Sequence, residues 1–132
     1  MMLITRENDY ALRMLRALAD NEIKSVQKIC DDENIPQKWA YKILKKMEKV
    51  KMVKAFQGSR GGYQLVKEMS EITMFDILTI DKKDLRFYKY IPDSGDNSSN
   101  VEAAKCPISK EFKLLENVIE TNLRGRTLEN VF

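Results

Sequence analysis

Three of the chain's five glycines fall within Gly58-Ser59-Arg60-Gly61-Gly62, with one arginine among them. Backbone N–H groups in such a stretch can cradle a phosphate, and the same residues can equally form a tight turn between two strands. A nucleotide-binding P-loop needs the spacing G-x-x-x-x-G-K-[ST]. Here Gly58 has no glycine five residues on, and no lysine-serine or lysine-threonine pair follows. The polyanion suggested by the surrounding charge is larger. From Pro36 to Arg60, Lys38, Lys42, Lys45, Lys46, Lys49, Lys51, Lys54 and Arg60 face Glu48 alone, so this segment carries +7. The whole chain carries +3, which leaves −4 for the remainder. A short basic segment on an otherwise acidic molecule is the footprint of a surface that meets nucleic acid, although lysine runs also occur on plainly solvated helices.

The chain has no histidine. That removes Ser/His and Cys/His pairs, the imidazole proton shuttle and histidine-based zinc sites. No paired carboxylates converge on a recognisable element, so an enzyme is the least supported class. Cys30 and Cys106 are too few and too distant for a disulfide framework. No apolar run approaches the ~20 residues that span a bilayer, and the start lacks a signal-peptide pattern. These features predict a cytoplasmic protein that does not use a membrane.

The basic residues need elements to position them. Thr5 is suited to cap a first helix to about Asp20, with an apolar stripe of Ala11, Met14, Leu15 and Leu18. Ser25 is suited to cap a short second helix, Val26 to about Glu33, and Asn34-Ile35-Pro36 reads as a turn with Pro36 at the start of a third. In PQKWAYKILKKMEKV, the residues Ala40, Ile43, Leu44 and Met47 make an inner face. Gln37, Lys38, Tyr41, Lys42, Lys45 and Lys46 are left outward, and Trp39 suits either the core or a groove contact. Two helices joined by a turn, the second basic outside, match a helix-turn-helix. MVKAF and YQLV then read as strands joined through residues 57–62 as a hairpin. The expected fold is mainly α with a small β-hairpin, a winged helix-turn-helix.

Ser70 and Glu71 are expected to open a short apolar helix, ITMFDILTI. Regular pattern is lost from Asp81 to about Lys105, where PDSGDNSSN has loop composition. It returns in PISKEFKLLENVIETNL through Ile108, Phe112, Leu115, Val118, Ile119 and Leu123. Gly125 is a stop, and Thr127 is expected to cap a last turn burying Leu128, Val131 and Phe132. An isolated amphipathic helix needs a cover for its stripe, and a partner helix in a homodimer is the usual one. The expected organisation is a DNA-binding domain over 1–80, a flexible loop over 81–105, and a dimerisation helix with its C-terminal turn over 106–132.

The stretches LITRENDYALRMLRALA, ICDDENIPQKWAYKILKKMEKVKMV, GSRGGYQL, EITMFDIL and TLENVF, in this order, resemble the Rrf-two family of bacterial winged helix-turn-helix regulators. The resemblance fails only around residues 80–105. It implies a homodimeric regulator, most often a repressor, that binds a pseudo-palindromic operator in double-stranded DNA. By position, Lys38, Tyr41 and Lys42 match the family's groove-facing recognition residues. Gln57, Gly58, Ser59, Arg60 and Gly61 match the wing that enters the minor groove. Gln57 stands where some members place a minor-groove arginine. Of the residues themselves, Gln37 and Gln57 are best able to read base edges, while the lysines, Lys45 and Lys46 included, supply attraction to phosphates.

Cluster-bearing members carry three cysteines in the loop before the dimerisation helix. AAKCPISKEF matches the last of these at Cys106, and residues 80–105 hold no other. Ser109 stands where the IscR-like pattern has histidine, and Asp9 where the NsrR-like pattern has an aspartate. Asp9 and Cys106 give two candidate metal ligands per site where an iron–sulfur cluster needs about four. The expectation is a branch without a cofactor; a cluster bridged through both subunits' Asp9 and Cys106 is the alternative. Cys30 is read as core packing. Cys106, near Lys105 and Lys110 at a helix N-terminus, is either a redox-sensing thiol or the remnant of a lost cluster loop. A CymR-like regulator answering to a partner protein through the loop and last helix is the second functional reading.

Overall fold

The structure is a computed structural model and describes residues 4–81 and 106–132. Thr5 starts α1 (Arg6–Ala17) through a reciprocal capping box. Its hydroxyl accepts from the Asn8 N–H at 3.2 Å, and the Asn8 carboxamide oxygen accepts from the Thr5 N–H at 2.9 Å. Asn8 is the one buried polar side chain among the described residues, and its amide donates to the Ile77 carbonyl at 3.2 Å. The cap thereby also ties α1 to a helix far along the chain. α1 stops at Ala17, short of the expected Asp20, because the Lys24 ammonium takes the Ala17 carbonyl at 2.6 Å and Asn21 adopts φ 63°.

Ser25 caps α2 (Val26–Glu33) by accepting from the Lys28 N–H at 3.1 Å. Asn34 then turns left-handed at φ 54° and ends it. Ile35 points back into the core, and Pro36, the expected first helical residue, stands instead at the N-cap of α3 (Gln37–Lys49), which begins one position later. Ala40, Ile43, Leu44 and Met47 are fully buried against α1 and α2, as their spacing requires. β1 (Val53–Phe56) and β2 (Gly62–Leu65) pair antiparallel from Val53–Leu65 to Phe56–Gly62. Lys24 adds a bridge to Tyr63, with N–H···O distances of 2.8 and 2.9 Å in the two directions. The hairpin is thus fastened to the start of α2.

The helix expected from Ser70 begins later. Met69–Glu71 is a single 3-10 turn, Ile72 is extended, and Thr73 caps α4 (Met74–Leu78) in a second capping box with Asp76. The delay has a tertiary cause, because this backbone pairs with the C-terminus. The Leu128 N–H donates to the Ile72 carbonyl at 2.9 Å, and the Met74 N–H to the Arg126 carbonyl at 2.8 Å.

α5 (Pro107–Arg124) is capped by Gly125, and a last turn, α6 (Leu128–Val131), follows. Leu128 is fully buried, but Val131 and Phe132 are exposed, against expectation. Among the described residues the turn reaches the core through Leu128 and the backbone bridge, with Thr127 directing its hydroxyl to the Asn130 side chain. α5 buries no residue of its own. Its C-terminal end is attached through Leu123 against Phe75 and Leu78 and through the Arg124 guanidinium 3.8 Å over the Phe75 ring. The loop expected over 81–105 lies outside the described residues apart from Asp81. The fold is a mostly helical winged helix with a long C-terminal helix.

Candidate nucleic-acid interface

α3 turns four buried apolar residues inward, so the helical period places its lysines on the opposite face. Gln37, Lys38, Tyr41, Lys42 and Lys45 are all exposed there. Lys38, Lys42, Lys45, Lys49, Lys51, Lys54 and Arg60 form no ion pair with any described carboxylate. Elsewhere several acids are matched. Glu33 takes Arg16, Asp32 takes Lys28 and Asp20 takes Lys24. α3 and the hairpin thus concentrate seven cations that pair with no described carboxylate, a field suited to a DNA backbone. Lys49, Lys51 and Lys54 extend the exposed basic set. The charge count contained them, but no motif singled them out.

Two aromatic contacts organise this face. Trp39 is half-buried against the core, edge-on to Tyr10 at a centroid distance of 6.0 Å, and the Lys42 ammonium sits 5.3 Å over its ring. The indole is thus mainly a core shoulder that steadies Lys42 by cation–π attraction. Gln37 donates its side-chain amide to Gln27 of α2, which leaves its carboxamide oriented at the helix entrance.

Lys46 is the exception among the expected contacts. Its ammonium lies 2.6 Å from Glu7 and 2.8 Å from Asp81. Burial disfavours its charge, but hydrogen bonds to Asp81 and Glu7 and their negative charges outweigh this and raise its pKa above the usual lysine range. The structure does not bring Lys46 onto the open basic face.

At the hairpin tip Gln57, Gly58, Ser59 and Arg60 are exposed, and the Gly61 N–H closes the turn on the Gly58 carbonyl at 3.0 Å. Gly58 has φ 99° and open space around its absent Cβ. The next two glycines have an internal reason. A Cβ on Gly61 would sit 2.3 Å from the Phe56 carbonyl oxygen, and one on Gly62 would sit 2.1 Å from that of Lys24. Close approach to the chain's own backbone accounts for Gly61 and Gly62, of which Gly61 was expected in the wing that meets the minor groove.

The candidate redox and metal residues lie apart in character. Cys30 is buried in the core, which pushes its thiol pKa up. Asp9 forms an exposed helical ion pair with Arg13 at 3.1 Å. Cys106 is half-exposed at the N-cap of α5, where the Ser109 and Ile108 backbone N–H groups hold its thiol below the ordinary range. Among the described residues no three Cys, Asp or Glu side chains gather to hold a metal ion. One accessible thiolate and one ion-paired carboxylate do not fit the four-ligand demand of an iron–sulfur cluster. A lowered thiol pKa means more thiolate at neutral pH. Native protein treated with limiting iodoacetamide is therefore expected to be alkylated at Cys106 at least about tenfold faster than at Cys30, read by peptide mass spectrometry.

The comparisons agree with this geometry. The family model described as Rrf2, iron-dependent transcriptional regulator, matches residues 4–132. Protein aau3 of Rhizobium meliloti is 30% identical over 132 residues, spanning 98% of this chain and 84% of its own length. Among solved structures, T. potens IscR aligns with a TM-score of 0.70 at 20% identity over 97% of this chain and 84% of its own. CymR, the global cysteine regulator of B. subtilis, aligns with a TM-score of 0.71 at 20% identity over 99% of this chain and 96% of its own. At that identity the two structures bear on the fold alone, and both share this winged helix. No helix among the described residues is long and apolar enough to cross a membrane. The family match over nearly the whole chain, with the unpaired cations on α3 and the hairpin, makes this chain a member of the Rrf2 family of DNA-binding transcriptional regulators.

Proposed function

We propose that the protein is a cytoplasmic, homodimeric repressor that places α3 in the major groove of a pseudo-palindromic operator and the hairpin tip in the flanking minor groove. The observation that carries this reading is the run of unpaired lysines on the exposed face of α3, continuous with Arg60 at the tip. Gln37 and Gln57 are the base-reading side chains, with Tyr41 beside them; Lys38, Lys42, Lys45 and Arg60 hold phosphates, and Gly58, Ser59 and Gly61 shape the tip. α5 supplies the dimer contact. A two-fold dimer predicts half-sites about one helical turn apart, roughly 34 Å, or a multiple of it. Operator selection from a random library tests that spacing directly.

The donor set supports regulation without a resident cluster, and nothing in the site calls for catalysis. A second reading, a partner protein docked on α5, is favoured by the same exposed stripe; the mass of the purified protein separates it from a homodimer. Cys106 is the candidate sensing thiol. A peroxide response of DNA binding that survives Cys106→Ser would remove it from that role.

Each lysine bound to a phosphate releases counterions, so its loss has a salt signature. Lys42→Ala and Lys45→Ala are each expected to weaken binding to every duplex and to reduce the slope of log K against log salt by about 0.9. Affinity titrations across salt check this. An equal loss of affinity at every salt concentration would contradict the phosphate assignment.

A further inference from the structure

Lys46 follows Lys42 by one helical turn on α3, 40° around the axis by the helical period, beside the face assigned to DNA. Lys38, Lys42, Lys45 and Lys49 meet no described carboxylate, whereas the Lys46 ammonium meets two. One cation between two carboxylates leaves a local charge of −1 beside a phosphate-binding surface. The arrangement hides a lysine from DNA and adds repulsion.

The two carboxylates belong to different parts of the molecule. Glu7 lies in the first turn of α1, fixed by the Thr5–Asn8 capping box, and its side chain is mostly buried. Asp81 follows α4, and its side chain is more open to solvent. α4 is bonded in turn to the C-terminal unit, through Met74 to Arg126, Ile72 to Leu128 and Phe75 to Arg124. A shift of α4 with the C-terminal unit relative to α1 and α3 would draw Asp81 away from Lys46. The four-carbon lysine stem could then swing its charge toward the phosphates.

We propose that Glu7 and Asp81 form an autoinhibitory carboxylate clamp that withholds Lys46 from DNA until α4 is displaced. The proposal rests on the DNA-binding reading above and assigns it a control point. A merely structural brace would not change the number of phosphates neutralised, so salt dependence is the decisive readout.

The test is fluorescence anisotropy of the full chain with a random-sequence duplex between about 50 and 200 mM salt. The variants are Glu7→Gln/Asp81→Asn, the same pair with Lys46→Gln, and Lys46→Gln alone. The double variant is expected to bind more tightly, with a log–log slope steeper by about 0.9, a further fall of 3- to 4-fold across that range. Adding Lys46→Gln should return the slope to the wild-type value, and Lys46→Gln alone should leave it there. An unchanged slope in the double variant overturns the clamp, as does a steeper slope that persists without Lys46. Asp81→Asn alone keeps the Glu7 pair and serves if the double variant does not fold. A steeper slope there that Lys46→Gln abolishes supports the clamp, and an unchanged slope overturns it. If wild-type protein shows no salt-dependent DNA binding, the functional reading fails and the clamp with it. If wild type binds and the variant slopes match it, the clamp alone fails.

Discussion

Leu115→Asp is expected to leave the chain folded but monomeric, and to remove most of its affinity for a two-half-site operator. Leu115 lies mid-way along α5 and is 52% exposed, with Ile108 at 64% and Val118 at 67%. Ile108, Leu115 and Ile119 follow one another at helical spacing, and none of them belongs to a buried cluster of the described residues. Covering each such side chain stabilises an interface by roughly 1.5–3 kcal/mol before association costs. Aspartate removes that gain and buries a carboxylate, and two-fold symmetry doubles the penalty. A total of about 4 kcal/mol or more raises the dimer dissociation constant about 10³-fold. Because Leu115 lies outside both buried clusters of the described residues, the melting temperature of the winged helix should barely move.

Loss of the dimer should also cost operator affinity about 10²-fold or more, since the second half-site no longer binds at high effective concentration. Sedimentation measures the first effect and titration of the selected operator the second. Lys113→Ala, on the polar side of α5, is the control and should change neither. A Leu115→Asp protein that remains dimeric would place the interface elsewhere.

Gly62→Ala is expected to be the most damaging single change within the winged helix. Its backbone has φ 153°, and the added Cβ would meet the Lys24 carbonyl oxygen at 2.1 Å, its carbon at 2.5 Å and the Ser25 nitrogen at 2.8 Å. All three are backbone atoms at the bridge that fastens the hairpin to α2, so no side-chain rotation relieves the contact. The strained conformation costs about 1–3 kcal/mol and the clash adds to it, for a total of about 3 kcal/mol or more. A chain of this size should then melt roughly 10 °C lower.

Other glycines grade that result. Gly58→Ala carries a positive φ but no clash, and should cost about 1–2 kcal/mol. Gly125→Ala, at φ −82° with its nearest contacts at 3.5 Å, should lie within about 0.5 kcal/mol of wild type. Thermal unfolding of the three proteins provides the comparison. A Gly62→Ala variant as stable as Gly125→Ala would mean the hairpin is not held to Lys24 as described.

Much of this molecule was legible in its residues because the relevant physics is local. Thr5 and Ser25 cap helices through N–H groups three residues away, and Ala40, Ile43, Leu44 and Met47 share a face because 3.6 residues complete a turn. The basic face followed from the same period. Where the reading missed, a distant segment had intervened. α4 starts late because residues 72–74 are paired with residues 126–128, and Val131 and Phe132 stay exposed because Leu128 alone reaches the core.

The sequence by itself determined the three helices, the hairpin, the segregation of charge and the shortage of metal-ligating side chains. These depend on residue type and on spacings of a few positions. Only the tertiary structure decided that Lys46 is held by Glu7 and Asp81, and that Gly61 and Gly62 serve the protein's own backbone. An ion pair joining residues 7, 46 and 81, and a contact joining residues 24 and 62, leave no periodic trace along the chain. They exist only after packing has brought those segments within a few ångströms.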